Sequence, residues 1–344
     1  MMAMAASGSR SVRSQRRSLV VPVYRNEENI PSLLEALKKL NRTLSGLEVV
    51  CVVDGSPDRS GELLVQASEH SPFPMRVVFH SRNFGSFTAI RTGLEFATGD
   101  NVAVMAADLQ EPPELVVEFF KVLERGEADV VFGQRTGRHD SRIRDAFSNA
   151  FWWLYRRSVV RDVPPGGVDI FACSRAAVDA VLRIEEPNSS LIAQLFWIGF
   201  RRKFVPYSRR ERQHGQSAWN LSRRFRYMLD SIVSFTDLPI MFVLWFGLAG
   251  CIVSVVLGTL IALLRIIGQI QVPGYAGLAL LITFSTSATL AVQGILGLYL
   301  WRTFENTKRR PLRLVARVVE GRATSSSASS PARPRPRLKK VAAR

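Results

Sequence analysis

Cysteine and histidine are scarce in this 344-residue chain. Cys51, Cys173 and Cys251 stand far apart in apolar surroundings, and the four histidines form no cluster. That excludes a disulfide framework and a zinc site of ordinary ligand spacing, and fits structural thiols in a reducing compartment. The first apolar run, Ser18 to Tyr24, is too short for a secretory signal, so none is expected. No internal repeat is visible.

Acidic residues are nearly missing from the two ends. Arg10, Arg13, Arg16 and Arg17 precede Leu19 without an acid, and residues 306–344 carry twelve Lys and Arg against Glu320 alone. The ends therefore hold +15 of the net +17, leaving the remainder near neutral. A basic face for nucleic acid is not indicated. Residues 1–17 and 306–344 instead read as basic disordered tails with an attraction to anionic lipid.

Charge of either sign is absent from two long runs. Pro239 to Leu264 is 26 residues without a charge and Ile266 to Trp301 is 36, with Pro273-Gly274 in its first third. About 20 apolar residues suffice to span a bilayer. Transmembrane helices are expected at 239–265 and 276–301, forming a two-helix hairpin. Buried core helices are the alternative, disfavoured because only Arg265 separates the runs. The basic tails and the polar part of the chain flank the hairpin on one side, which the positive-inside rule places in the cytoplasm. Leu221 to Phe235 has apolar residues at helical spacing, so 221–236 is read as an amphipathic helix in the membrane interface. An ordinary helix packed on the soluble part would show the same pattern. Gly247, Gly250, Gly294 and Gly297 permit close helix packing, within one hairpin or between subunits of a homo-oligomer.

What remains, residues 18–220, alternates short apolar runs with amphipathic stretches. Strands are expected at Ser18–Val23, Leu47–Val53, Met75–Phe79, Val102–Ala107 and Asp129–Gly133, with weaker ones at Val168–Ser174 and Arg202–Tyr207. Helices are expected between them, the one before Gly99 ending near Thr98 and another spanning Pro112–Arg125; Asp140–Val160 also has a helical pattern. The alternation predicts an α/β domain, a mostly parallel sheet with helices on both faces. The most informative stretch is Asn101 to Glu114, NVAVMAADLQEPPE. It ends a buried strand with Asp108 and Gln110, where open α/β sheets bind ligands. Oxygen donors of this kind suit a hard cation shared with substrate phosphates, although Asp108 would equally cap the following helix.

The strings PVYRNEENI, VVDGSPDRS, SRNFG, GLEFATGD, ADLQEPPE and RRERQHGQSAW, in this order, resemble family 2 glycosyltransferases that use polyprenyl-phosphate acceptors. That group includes dolichol-phosphate mannosyltransferase and the bacterial undecaprenyl-phosphate glucosyl and aminoarabinose transferases. The resemblance covers roughly residues 18–305. It implies a GT-A (Rossmann-like) fold, a nucleotide-sugar donor, Mg²⁺ or Mn²⁺, a polyprenyl-phosphate acceptor, inversion, and a bacterial inner-membrane protein with cytoplasmic catalytic domain and termini. Pro22, Tyr24 and Glu27 would line the nucleotide pocket, Asp54 would bond the base, and Asp108 with Gln110 would hold the metal on the diphosphate. Arg209, Arg212 and Ser217 match the family's Arg-rich loop before the membrane, whose arginines grip the lipid phosphate or the donor diphosphate; for these arginines, as for Arg135 and Arg138, a solvated basic face attracted to lipid headgroups is the alternative. Asp169 aligns with an acidic position that orients acceptor or sugar, or else is a structural carboxylate at a strand start.

Three departures bear on activity. Relatives usually have Asp where this chain has Ala106, a paired Asp where it has Val53, and Lys where it has Ala218. They keep open a second reading, a weak or inactive nucleotide-sugar-binding membrane scaffold. A processive polysaccharide synthase is not favoured, because its Gln-x-x-Arg-Trp motif and additional spans are not found.

Overall fold

The computed structural model describes residues 15–135, 168–186, 189–209, part of 241–267, 275–308 and 310–321. Among these, eight strands form one sheet in the order β7-β5-β6-β4-β1-β2-β3-β8. The first half is regular α/β winding: β1 (Arg17–Val23), α1 (Ile30–Leu44), β2 (Leu47–Val53), α2 (Ser60–Glu69), β3 (Met75–His80), α3 (Ser86–Phe96), β4 (Asn101–Val104), α4 (Glu114–Glu124) and β5 (Val130–Arg135). The second half adds β6 (Val168–Ser174), α5 (Arg175–Leu182), α6 (Leu191–Trp197), β7 (Arg202–Tyr207), α7 (Tyr275–Thr307) and β8 (Val315–Glu320).

Period-two burial explains the layering. In β1, Leu19, Val21 and Val23 enter one apolar cluster while Val20 enters the other. In β2, Val49, Cys51 and Val53 face the first and Val50 and Val52 the second. The first cluster is closed by α1 and α4 through Leu33, Leu37, Phe119 and Phe120, the second by α3, α5 and α6 through Leu94, Val178 and Leu195. Full burial of each such side chain is worth about 1.5–3 kcal/mol, so a sheet covered on both faces needs near-continuous apolar strands. Cys51 and Cys173 belong to these layers; burial pushes the Cys51 thiol up to about 12, which fits inert packing groups.

β1 pairs in parallel with both β2 and β4, and β2 with β3. β6 is antiparallel to β4 and β5, and β8 is antiparallel to β3. The mostly parallel GT-A-like sheet with helices on both faces is thus the architecture observed. β4 stops at Val104, sooner than its apolar run suggests, because the chain leaves the ladder while Met105 and Ala107 stay buried.

Beyond Tyr207 the expectations fare differently. The helices read at 140–160 and 221–236 lie outside the described residues. Among the described residues no helix is long and apolar enough to cross a membrane. The first expected span, 239–265, lies largely outside them. The second falls on α7, whose Leu281, Ile282, Phe284, Leu300 and Trp301 are exposed. The tail expected to be disordered from 306 needs correction. α7 runs to Thr307, and residues 315–320 form β8. VARVVE carries enough β-branched residues to pair with the otherwise open edge of β3, and the surrounding basic composition hides it.

α3 lies tight on β1 because Gly93 has no side chain: a Cβ there would strike Val20 Cγ1. Gly93→Ala is expected to destabilise the domain by about 1–3 kcal/mol through overpacking. Denaturant unfolding of the purified protein checks this; an unchanged midpoint would contradict it.

Candidate functional site

Parallel pairing puts the carboxyl ends of β1, β2, β4, β5 and β7 on one edge of the sheet, together with the start of antiparallel β6. This is the edge where open α/β sheets bind ligands. Pro22 sits in β1 opposite Val52, and Tyr24 and Glu27 follow in the β1–α1 loop. Asp54 follows β2, Asp108 and Gln110 follow β4, and Arg135 ends β5 opposite Tyr207. Asp169 lies in β6 one residue from its start at the same edge. Arg209 comes two residues after β7. Arg138, Arg212 and Ser217 lie outside the described residues.

Two loops are bound into one unit by Asp58. Its Oδ2 accepts from the Glu27 amide at 3.0 Å and the Ser60 hydroxyl at 2.8 Å, and its Oδ1 accepts from the Ser56 hydroxyl at 2.6 Å. The Arg25 amide donates to Ser56 Oγ and the Asn26 amide to Ser60 Oγ, while Glu27 Oε2 accepts from the Arg59 amide at 3.0 Å. Glu27 therefore braces the β2–α2 loop as well as standing at the carboxyl edge of the sheet. Burial raises the Asp58 carboxyl, but the hydrogen bonds from the Ser56 and Ser60 hydroxyls and from the Glu27 and Ser60 amides outweigh it and hold it below the ordinary aspartate value.

Asp54 is 2% exposed. His80 Nδ1–H donates to its Oδ1 at 2.7 Å, the Phe84 amide donates to the same oxygen at 2.8 Å, and the Gly85 amide donates to Oδ2 at 2.7 Å. His80 Nε2 lies 2.8 Å from Thr92 Oγ1 in α3. A carboxylate offers about four acceptor positions. Three are filled here, so a base would meet the one that remains. Asp54 chiefly fixes the loop Ser81–Gly85. Gly55 lets that loop close, since it has φ 59° and a Cβ there would strike the backbone of Arg82 and Asn83.

The stretch after β4 turns sharply. Leu109 has φ 53°, a left-handed conformation that costs an ordinary side chain about 1–3 kcal/mol and gathers at functional sites. The Gln110 amide donates to Asp108 Oδ1 at 3.4 Å. Arg209, 99 residues away, donates from its guanidinium to Gln110 Oε1, and its Nε lies 3.8 Å from Glu111 Oε1. Arg209, expected to grip phosphate, thus reaches the expected metal loop itself. Glu111 is buried and absent from the expected site.

Among the described residues no group of three His, Cys, Asp or Glu could hold a metal ion. Asp108 and the Gln110 amide oxygen are two hard donors, and Ala106 contributes none. That set fits Mg²⁺ or Mn²⁺ only as ions shared with substrate phosphates, a common arrangement for Mg²⁺.

The family model for Glycosyl transferase family 2 matches residues 18–182. An uncharacterized glycosyltransferase of Synechocystis sp. is 32% identical over 304 residues, covering 87% of this chain and 94% of its own. The chain belongs to glycosyl transferase family 2. This glycosyltransferase is also 32% identical to the undecaprenyl-phosphate 4-deoxy-4-formamido-L-arabinose transferase of Pseudomonas savastanoi, over 94% of this chain and 97% of the other. It is 30% identical to a prophage bactoprenol glucosyl transferase homolog of Escherichia coli, over 88% and 98%. Among solved structures, the chain is similar to glucosyl-3-phosphoglycerate synthase from Mycobacterium tuberculosis in complex with Mn²⁺, UDP and glucosyl-3-phosphoglycerate. It is 20% identical, with TM-score 0.41, and the match covers 58% of this chain and 73% of that one.

The resemblance to polyprenyl-phosphate family 2 enzymes therefore holds. What residue patterns hid is the bracing: nothing local marks the partners of Asp58, and His80 is one of four histidines that form no cluster. A His at a strand end followed at once by SRNFG is the signal that was available.

Asp58 has its pKa lowered on folding, so its contribution to stability is present above the unfolded value of about 3.9 and is lost as pH falls through the folded value. Wild type should unfold at a higher temperature than Asp58→Asn at pH 7, with the two converging on acidification below about pH 4. A gap that stays constant down to pH 3 would contradict the assignment.

Proposed function

We propose that this glycosyltransferase moves a sugar from a UDP- or GDP-sugar to polyprenyl phosphate on the cytoplasmic leaflet of a bacterial inner membrane. One topological observation carries the reading. β7 ends at Tyr207, on the carboxyl edge of the sheet, and the chain then runs toward the apolar stretch that starts at Pro239. It returns from α7 into β8 at Val315, opposite His80, on that same edge. Both links to the apolar runs leave from the edge that carries Asp54, Asp108 and Arg209, which supports a site facing the bilayer. The names of two relatives, which specify undecaprenyl phosphate and bactoprenol, support the same acceptor. Exposed Trp301 and Phe304, with Lys308 Nζ 5.0 Å and 4.3 Å from their ring centroids, match an interfacial anchor at the end of a span.

In the reaction, an ionised acceptor phosphate oxygen forms a bond to the sugar's anomeric carbon. The bond from that carbon to the diphosphate oxygen breaks, and its electron pair stays on the departing nucleoside diphosphate. No proton need be removed, because the acceptor phosphate is already ionised. The β1–α1 and β2–α2 loops, locked by Asp58, hold the nucleotide end, and the loop 81–85 closes on it from β3. Asp108 and Gln110 are the residues that would hold Mg²⁺ or Mn²⁺, whose chemistry is to neutralise charge on the leaving diphosphate. Arg209 changes partner from Gln110 to phosphate when substrate enters, and Arg135, Arg138 and Arg212 add cations suited to bidentate phosphate contact. Asp169, across the edge, orients the acceptor or the sugar.

The scaffold alternative draws on one observation: Gln110 is already bonded by Arg209, and Ala106 offers no carboxylate to replace it.

Full-length protein in nanodiscs, given undecaprenyl phosphate and a panel of UDP- and GDP-sugars with and without Mn²⁺, should form a glycosylated lipid with one donor. Asp108→Ala should lower turnover at least about 100-fold. Nucleotide binding without turnover on any donor would favour the scaffold. Arg212→Ala should raise the acceptor KM with little change in that of the donor; an unchanged acceptor KM would remove Arg212 from the acceptor site.

A further inference from the structure

β8 is joined to the catalytic sheet by more than its ladder. It pairs Arg76↔Glu320, Val77↔Val319, Val78↔Val318 and Phe79↔Arg317. Arg317 lies 4.4 Å over the Phe79 ring, and Arg76 Nε is 3.4 Å from Glu320 Oε1. At the far end the Gly321 amide donates to Met75 O at 2.8 Å, and a Cβ on Gly321 would strike the Ser68 backbone of α2. At the near end Arg313 forms an ion pair with Glu95 of α3.

Covering an open strand edge would need only the ladder. Here the contact runs past it. The register shifts between Phe79 and His80, so that Val315 meets His80, and the Ser81 amide then donates to Leu314 O at 3.0 Å. Ser81 opens the loop 81–85, whose other end is held by Asp54 through the Phe84 and Gly85 amides. The loop is therefore suspended between Leu314 and Asp54, with His80 bonded to Asp54 on one side and packed 5.4 Å edge-on to Phe84 on the other. α3, which begins directly after the loop, is gripped by Arg313 at Glu95.

We propose that the segment Arg313–Gly321 is a positioning element of the donor site: it fixes the loop 81–85 for a nucleoside diphosphate sugar and ties that loop to the end of α7, which only seven residues separate from β8. This rests on the reading of the carboxyl edge as a nucleotide-sugar site. The segment touches no substrate. It acts through Ser81, His80 and Asp54, so its loss weakens donor binding rather than acceptor binding.

Two full-length variants in nanodiscs test this, Gly321→Val and the double variant Arg313→Ala/Arg317→Ala, the second guarding against misfolding of the first. Hydrogen–deuterium exchange without ligand should be faster in residues 81–85 as well as 315–320, while β1 and β2 keep wild-type protection. Donor KM should rise about tenfold with acceptor KM unchanged, and UDP with Mn²⁺ should protect 81–85 less than in wild type. Fast exchange in 315–320 with wild-type protection of 81–85 and an unchanged donor KM would overturn the proposal. The exchange measurement needs no turnover. If wild type transfers no sugar, the reading of the site fails, and loosening of 81–85 still decides whether the strand holds the loop.

Discussion

Parallel pairing of β1 with β2 and β4 is the constraint from which the site follows. It brings the chain out of the sheet at Val23, Val53 and Val104 on one edge, above a largely apolar core. The peptide groups just past those strand ends cannot all find strand partners. Some are taken by continuing backbone bonds, Asp54 N to Val23 O and Met105 N to Val20 O. The rest need side-chain oxygens, and Asp54 and Asp58 provide them. Leaving fully buried amides unmet costs about 1–3 kcal/mol each, and these part-buried amides would bear some of that cost, so the two carboxylates stabilise closure of the loops.

The same economy explains how a site with few carboxylates is ordered before substrate arrives. Asp58 joins the loops after β1 and β2; Asp54, with His80 and Thr92, fixes the loop after β3; Arg209 reaches across from β7 to the loop after β4. Four loops that would otherwise move independently share a few polar anchors. Backbone conformations that ordinary residues avoid, at Arg25 and Leu109, fall within this braced edge. Strain of that kind persists only where surrounding contacts over-determine it.

Much of this architecture was legible because its strands are buried on both faces. LVVPV and VVCVV cannot lie on a half-wet sheet, and their spacing from amphipathic helices implies parallel winding. The weaker strands at Val168–Ser174 and Arg202–Tyr207 were also readable, but not the antiparallel placement of the first between β4 and β5. Sheet order depends on contacts that no local pattern encodes. β8 was hidden for a compositional reason, its six residues lying within a basic, Ser- and Pro-rich end. Of the site, the positions at strand ends were legible, and the partners were not. Nothing near Gln110 announces Arg209, and His80 has no periodicity to mark it.

The proposed lipid acceptor requires the carboxyl edge of the sheet to face the bilayer, and it is at this edge that β7 ends and β8 begins. In that arrangement the opposite edge, where β1 starts at Arg17 and β8 ends at Glu320, would face away. The most direct measurement of this arrangement places a nitroxide at exposed Arg25, on the carboxyl edge, or at exposed Ser45, on the opposite edge, in a Cys251→Ser background. The protein is held in nanodiscs doped with a headgroup-chelated paramagnetic relaxer. Strong relaxation at residue 25 and weak relaxation at residue 45 is the expected result. Equal or reversed relaxation would mean that the site does not open toward the membrane, and a lipid phosphate would no longer be its natural acceptor.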